Sequence, residues 1–254
     1  KCQKPSLVLE GLGTEKLEET LQKAFPTARI ARLDRDVASG KNVEKIIARV
    51  RNREVDILVG TQMVTKGHDL PHVTLVGVIN ADAALSIPDF RASERTFHLL
   101  VQVAGRAGRG DRAGKVLIQT YDPDHPAITY ARQHDVLGFL ERELGDRKEL
   151  AYPPFSRAAL VRVDSLDEIE AREIAENLAA IARDAAAKET SKVLVLGPAP
   201  APLARLRARY RFRLMLRSED RQSLRRVLLA VERSRSSFPR SVRTEIDVDP
   251  VALL

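Results

Sequence analysis

The chain has almost no cysteine: one, Cys2, in 254 residues, so no disulfide can close within it. No apolar run reaches the length of a membrane span, and nothing has the charged-apolar-small order of a secretory leader. A cytoplasmic protein without a membrane partner is expected. No glycine-rich loop of the kind that cradles phosphates is present, no repeat recurs, and no tract is compositionally biased. The five histidines show no H-E-x-x-H or comparable ligand spacing, and no nucleophile has a base at a telling distance.

What is present is enough apolar content, 44%, to fill two cores, together with a formal charge of +7. That charge is local. Residues 1–150 carry 23 basic against 21 acidic side chains, whereas residues 205–243 carry 13 arginines against 3 acids. An acidic partner for the second half follows from this.

Up to about residue 125, helix-period and strand-like runs alternate: "TEKLEETLQKAF" with Thr14 as N-cap, "ARIARLD", "NVEKIIARVRN", "VDILVG", "VTLVGVIN" and "KVLIQT". This is the rhythm of a parallel α/β sheet flanked by helices. A helix is expected from "DPDHPAI" towards Leu150, and Pro153 and Pro154 then break the chain. Beyond them the order β-α-β-β-α-β predicts a small two-layer α+β domain with its helices on one face. The expected divisions are 1–12, 13–125, 126–152 and 153–254.

Two stretches carry chemistry. In "GTQMVTKGHDL", Thr61, Gln62, Lys66, Gly67 and Asp69 follow a buried strand, at the sheet edge where parallel folds place ligands. In "QVAGRAGRG", a continued helix puts Gln102, Arg106 and Arg109 on the face opposite Phe97, Leu100, Val101 and Ala104, with Gly105 leaving room for another surface. Two guanidiniums and an amide aimed one way suit a phosphate chain. The alternative is that the arginines pair with carboxylates such as Glu94 or Asp111. A third stretch, "ARLRARYRFRL", alternates Arg205, Arg207, Arg209, Arg211 and Arg213 with apolar residues. As one strand it would line up five like charges about 7 Å apart, a repulsion that an acidic ligand relieves. A solvated strand face is the alternative. Arg221 and Arg225 share one face of the last helix.

The first two stretches resemble motifs V and VI of superfamily two helicases. With "PDFRASERTF", "YPPF", "VLGPAPAP" and "DVDP", nearly the whole chain resembles the carboxyl-terminal portion of the PriA family of primosomal replication-restart helicases. The resemblance implies a RecA-like second helicase lobe followed by the α+β domain, and a preceding lobe that holds most of the ATP and Mg²⁺ site. It implies that Arg106 and Arg109 reach the γ-phosphate as arginine fingers and that Gln102 positions water or couples nucleotide to DNA. Gly67, Asp69 and Gly105 would approach ATP; Thr61, Gln62 and Lys66, with Arg207, Arg209 and Arg211, would contact DNA. Arg221 and Arg225 would meet a protein partner, and Cys2 would be the last thiolate of a Zn²⁺ site incomplete here. Implied activity is ATP-driven 3′-to-5′ unwinding that restarts stalled forks. Implied partners are forked and single-stranded DNA, single-stranded-DNA-binding protein, primosome proteins and the replicative helicase, in a cytoplasmic, nucleoid-associated setting. A RecG-like fork-remodelling translocase and a non-catalytic primosome scaffold are the alternatives.

Overall fold

The computed structural model describes residues 13–34, 40–61, 70, 72–105, 107 and 113–253. Contacts divide the chain into two compact units, Lys1–Asp82 with Thr96–His134, and Ala83–Arg95 with Asp135–Leu254. The two units alternate along the sequence.

The first unit is α/β. Helix α1 (Thr14–Ala24) precedes β1 (Ile30–Leu33), and α2 (Gly40–Arg51) precedes β2 (Ile57–Gly60), which pairs with β1 in parallel. A second parallel pair joins β3 (Leu75–Val78) to β4 (Lys115–Ile118). Between them lie the short α3 (Asp82–Leu85) and α4 (Ala92–Ala104), and α5 (Pro126–Gln133) follows. Leu33, Ile46, Ile47 and Leu70 form a small core around the first pair. The cap of α1 is Gly13; Thr14 lies inside the helix and spends its hydroxyl on Asp34, donating to Oδ2 at 2.7 Å. Asp34 is buried, so satisfying it outweighs capping.

The starts of β1 and β2 are fastened by Arg29 and Asp56. Arg29 donates from its backbone N and Nε to Asp56 Oδ2 at 2.8 and 2.9 Å, and from Nη2 to Oδ1 at 2.7 Å. The Arg29 hydrogen bonds hold the Asp56 carboxyl well below the usual carboxylate range.

In the second unit, α6 (Val136–Glu149) is separate from α5. His134 ends α5 in the left-handed conformation at φ 54°, and Asp135 caps α6 by accepting from Gly138 N at 2.9 Å. One residue of positive φ therefore breaks the single helix expected from Pro126 to Leu150. His125 caps α5 by accepting from Ala127 N at 3.1 Å.

Strands β5 (Arg157–Ser165), β6 (Leu194–Leu206), β7 (Arg209–Ser218) and β8 (Arg243–Val248) form an antiparallel sheet in the order β6-β7-β5-β8. Helices α7 (Glu168–Ala186) and α8 (Arg221–Ser234) complete the βαββαβ order of a ferredoxin-like unit. Asp167 and Asp220 cap them through backbone amides of the first turn. Alternate residues of β5 and β7, Val161, Val163, Phe212, Leu214 and Leu216, face Leu178, Val227 and Val231 from the helices. Pro198, Pro200 and Pro202 remove amide donors at alternate positions of the edge strand β6.

Two outcomes follow. Leu178→Ala should lower stability of the second unit by about 2–5 kcal/mol, read by denaturant melts. Asp56→Asn should melt earlier than the parent at pH 7. Because the folded Asp56 pKa is depressed, its contribution is fully present above about pH 4. The gap between the two proteins should close as pH falls further, checked by thermal melts across an acid series.

Candidate functional site

Motif V begins where β2 ends at Gly60. Thr61 follows it, exposed; Gln62, Lys66, Gly67 and Asp69 lie outside the described residues. Motif VI begins on the last turn of α4, whose buried stripe is Phe97, Leu100 and Val103. Gln102 is exposed on the other side. The helix ends at Ala104, and Gly105 closes it by donating its N–H to Val101 O at 3.0 Å. Arg106 and Arg109 lie outside the described residues, as does Cys2.

Gly105 is not required by its own surroundings. A Cβ there would make ordinary van der Waals contact with Val101 O at 3.5 Å and Gln102 O at 3.7 Å. Glu94, one of the carboxylates open to the motif VI arginines, is held by Arg147, whose Nη2 donates to its Oε2 at 2.5 Å. Arg32, within β1, is paired locally with Glu18 and Asp34 at 3.7 and 3.2 Å. Among the described residues no cluster of three or more His, Cys, Asp or Glu side chains has the form of a metal site. The Zn²⁺ and Mg²⁺ expectations thus find no ligand set in the described part.

The arginine ladder takes a different form from the single strand expected. Arg207 and Ala208, at φ 50° and 63°, make the tight turn of a β6–β7 hairpin. Two left-handed residues are what a two-residue hairpin turn requires, and nothing in the alternation of Arg and apolar residues announces them. Arg205 pairs across the hairpin with Tyr210 and stacks over its ring at 5.1 Å, on the face that carries the helices. Arg209, Arg211 and Arg213 share the other face. Arg209 is ion-paired with Asp164 and donates to Ser241 O at 2.7 Å, so its guanidinium is committed within the fold. On α8, Arg226 chelates Glu189, whose carboxyl these bonds hold below the usual range, while Arg221 and Arg225 are exposed beside it.

A group of residues that sequence reasoning used only as a signature builds a clasp in the second unit. Asp89, with its side chain fully buried, accepts from Arg91 N at 3.0 Å, Arg95 Nη1 at 2.9 Å and Leu253 N at 3.0 Å. Arg91 Nη1 donates to Val251 O at 2.9 Å, and Arg95 Nη2 to the same carbonyl at 2.5 Å. Next to it the Phe90 and Tyr152 rings stack at 5.2 Å and 11°. The Arg91 and Arg147 guanidiniums lie over Phe90 at 5.0 and 5.1 Å, and Arg217 lies over Tyr152 at 4.3 Å. "PDFRASERTF", "YPPF" and the chain after "DVDP" thus meet in one place. They border a cavity of about 460 Å³ with Gly197 and Arg213 in its wall. Gly197, at φ 99°, passes so near β7 that a Cβ would lie 2.8 Å from Arg213 O. Burial pushes the Arg213 guanidinium down, against the pull of Asp89. A spacing-based signal for the clasp was absent, because its partners are separated by 164 residues at the widest.

Asp89→Ala should cost about 3 kcal/mol, since Arg95 and Leu253 N lose their partner together. Asp89→Asn, which keeps an acceptor, should cost less. Chemical denaturation of both variants checks the order.

Residues 148–251 match the family profile described as the primosomal protein N C-terminal domain, and residues 9–111 match the helicase conserved C-terminal domain. The replication restart protein PriA of Synechocystis is 40% identical over 254 residues, all of this chain and 30% of that protein. The protein of the same name from Haemophilus influenzae is 40% identical over 98% of this chain and 34% of its own length. That of Bacillus subtilis is 42% identical over 78% and 24%. The chain thus spans about a third or less of the length of these curated relatives. With one lobe of helicase type and a second unit bearing the primosomal C-terminal sequence, the chain belongs to the PriA family.

Proposed function

We propose that this chain is the part of an ATP-driven, 3′-to-5′ DNA helicase that contributes motifs V and VI to a nucleotide site completed by a preceding lobe. The observation that carries the reading is the end of α4. There an exposed Gln102 and an uncrowded Gly105 lead directly into two arginines. Kinship along the whole chain with replication restart proteins supports it.

In phosphoryl transfer the charge that builds on the γ-phosphate oxygens is met by positive groups placed in advance. Arg106 and Arg109 supply those charges, and each is permanently protonated, so no proton moves to or from them. Gln102 orients the attacking water, and Gly105 admits the nucleotide-bearing surface. Mg²⁺, held by the preceding lobe, neutralises the β- and γ-phosphates when bound. Gly67 and Asp69 approach the nucleotide, and Thr61, Gln62 and Lys66 meet a DNA phosphate. The basic C-terminal unit holds forked or single-stranded DNA. On α8, Arg221 and Arg225 with the half-exposed Leu229 at the next turn suit an acidic tail ending in an apolar group, such as that of single-stranded-DNA-binding protein. Primosome proteins and the replicative helicase complete the partner set, in the cytoplasm.

The 254-residue chain should hydrolyse no ATP by itself, with or without DNA. In the full-length protein Arg109→Ala should abolish DNA-stimulated turnover while DNA affinity stays within a few-fold. Coupled phosphate-release assays and DNA titrations test both; turnover by the isolated chain, or affinity lost with activity, would sink the assignment.

A further inference from the structure

At the end of the C-terminal sheet where β5 finishes, two arginine groups far apart in sequence arrive together. Asp164 on β5 stands opposite Arg211 on β7 and opposite Arg243 on β8. Directly paired residues share a face, so Arg211 and Arg243 lie on the side turned away from α7 and α8. They are two strand spacings apart, about 10 Å. The carboxylate between them is already taken by Arg209, which also donates to Asp164 O at 2.9 Å and Ser241 O at 2.7 Å. One row further into the sheet, Arg162 is balanced by Glu245 at 3.2 Å and Asp247 at 3.5 Å. The outer row has no such balance. Among the described residues, Arg211 and Arg243 make no ion pair or side-chain hydrogen bond, and neither do Arg207 in the hairpin turn and Arg240 in the loop before β8. Arg209 ties that loop to the hairpin through Ser241, which fixes the two prongs to each other.

The rings described near this end are engaged within the fold, Phe238 packing part-buried against the core. Tyr210 lies under Arg205, and Phe212 is buried with Arg172 over it at 5.8 Å. Surfaces that hold single strands add aromatic platforms on which bases stack; charge without platforms suits the phosphates of a duplex. The spacing of about 10 Å lies between the widths of the minor and major grooves, about 6 and 12 Å.

We propose that this end of the sheet is a two-pronged grip for the phosphate backbone of duplex DNA, Arg211 and Arg243 reaching the rims of one groove and Arg207 and Arg240 the flanking phosphates. It deepens the DNA-binding reading above and rests on it. Arg209 is the positioning residue that joins the prongs. Contacts to phosphate carry no sequence preference.

The test uses the 254-residue chain, a short blunt duplex and an oligothymidine of equal length, with anisotropy read across a salt series. Arg211→Ser with Arg243→Ser should weaken duplex binding about tenfold and reduce the salt slope by about 2. Oligothymidine affinity should change less than twofold, and Arg211→Lys with Arg243→Lys should keep most duplex affinity. Neither arginine has a partner among the described residues to lose, so the melting point should hold. If it falls, Arg207→Ser with Arg240→Ser, in turn and loop, gives the reading instead. Equal loss for both nucleic acids overturns the duplex preference. A duplex affinity that ignores every substitution overturns the grip and leaves DNA binding standing; a chain that binds neither probe overturns both.

Discussion

The second unit depends on a single buried carboxylate. Asp89 has no solvent to fall back on, and its three donors come from its own turn, from α4 and from the far end of the chain. A buried charge is tolerable only when its hydrogen bonds are complete, so the three segments must be present together or the arrangement loses its reason. The stacked Phe90 and Tyr152, with Arg147 over the one ring and Arg217 over the other, extend the same clasp into apolar territory. Sheet, tail and the residues before α4 are therefore one folding problem, although the sequence presents them as three.

Much of the fold was legible because burial writes itself as periodicity. Leu224, Val227, Leu228 and Val231, at helical spacing in the sequence, are all core, and the parallel strands before residue 120 lie in the expected segments. What failed was decided by single residues in left-handed conformation. His134 split a helix, and Arg207 with Ala208 turned a predicted five-arginine strand into a hairpin. None of these is glycine or asparagine, so composition gave no warning. Thr14 misled for another reason: a buried acid twenty residues away competed for its hydroxyl. At the candidate site Gln102 and Thr61 are exposed, while the clasp was invisible because long-range ion pairs leave no period in a sequence.

The prolines of β6 make the C-terminal sheet asymmetric in what it can accept. Lacking amide protons at positions 198, 200 and 202, that border offers an arriving backbone acceptors without the matching donors. The opposite border, β8, has no proline, and alternates Arg243, Glu245 and Asp247 along one side. A strand added at β8 meets an unbroken row of backbone donors and acceptors and side chains in a plus-minus-minus order, whereas the middle of β6 offers it no such row.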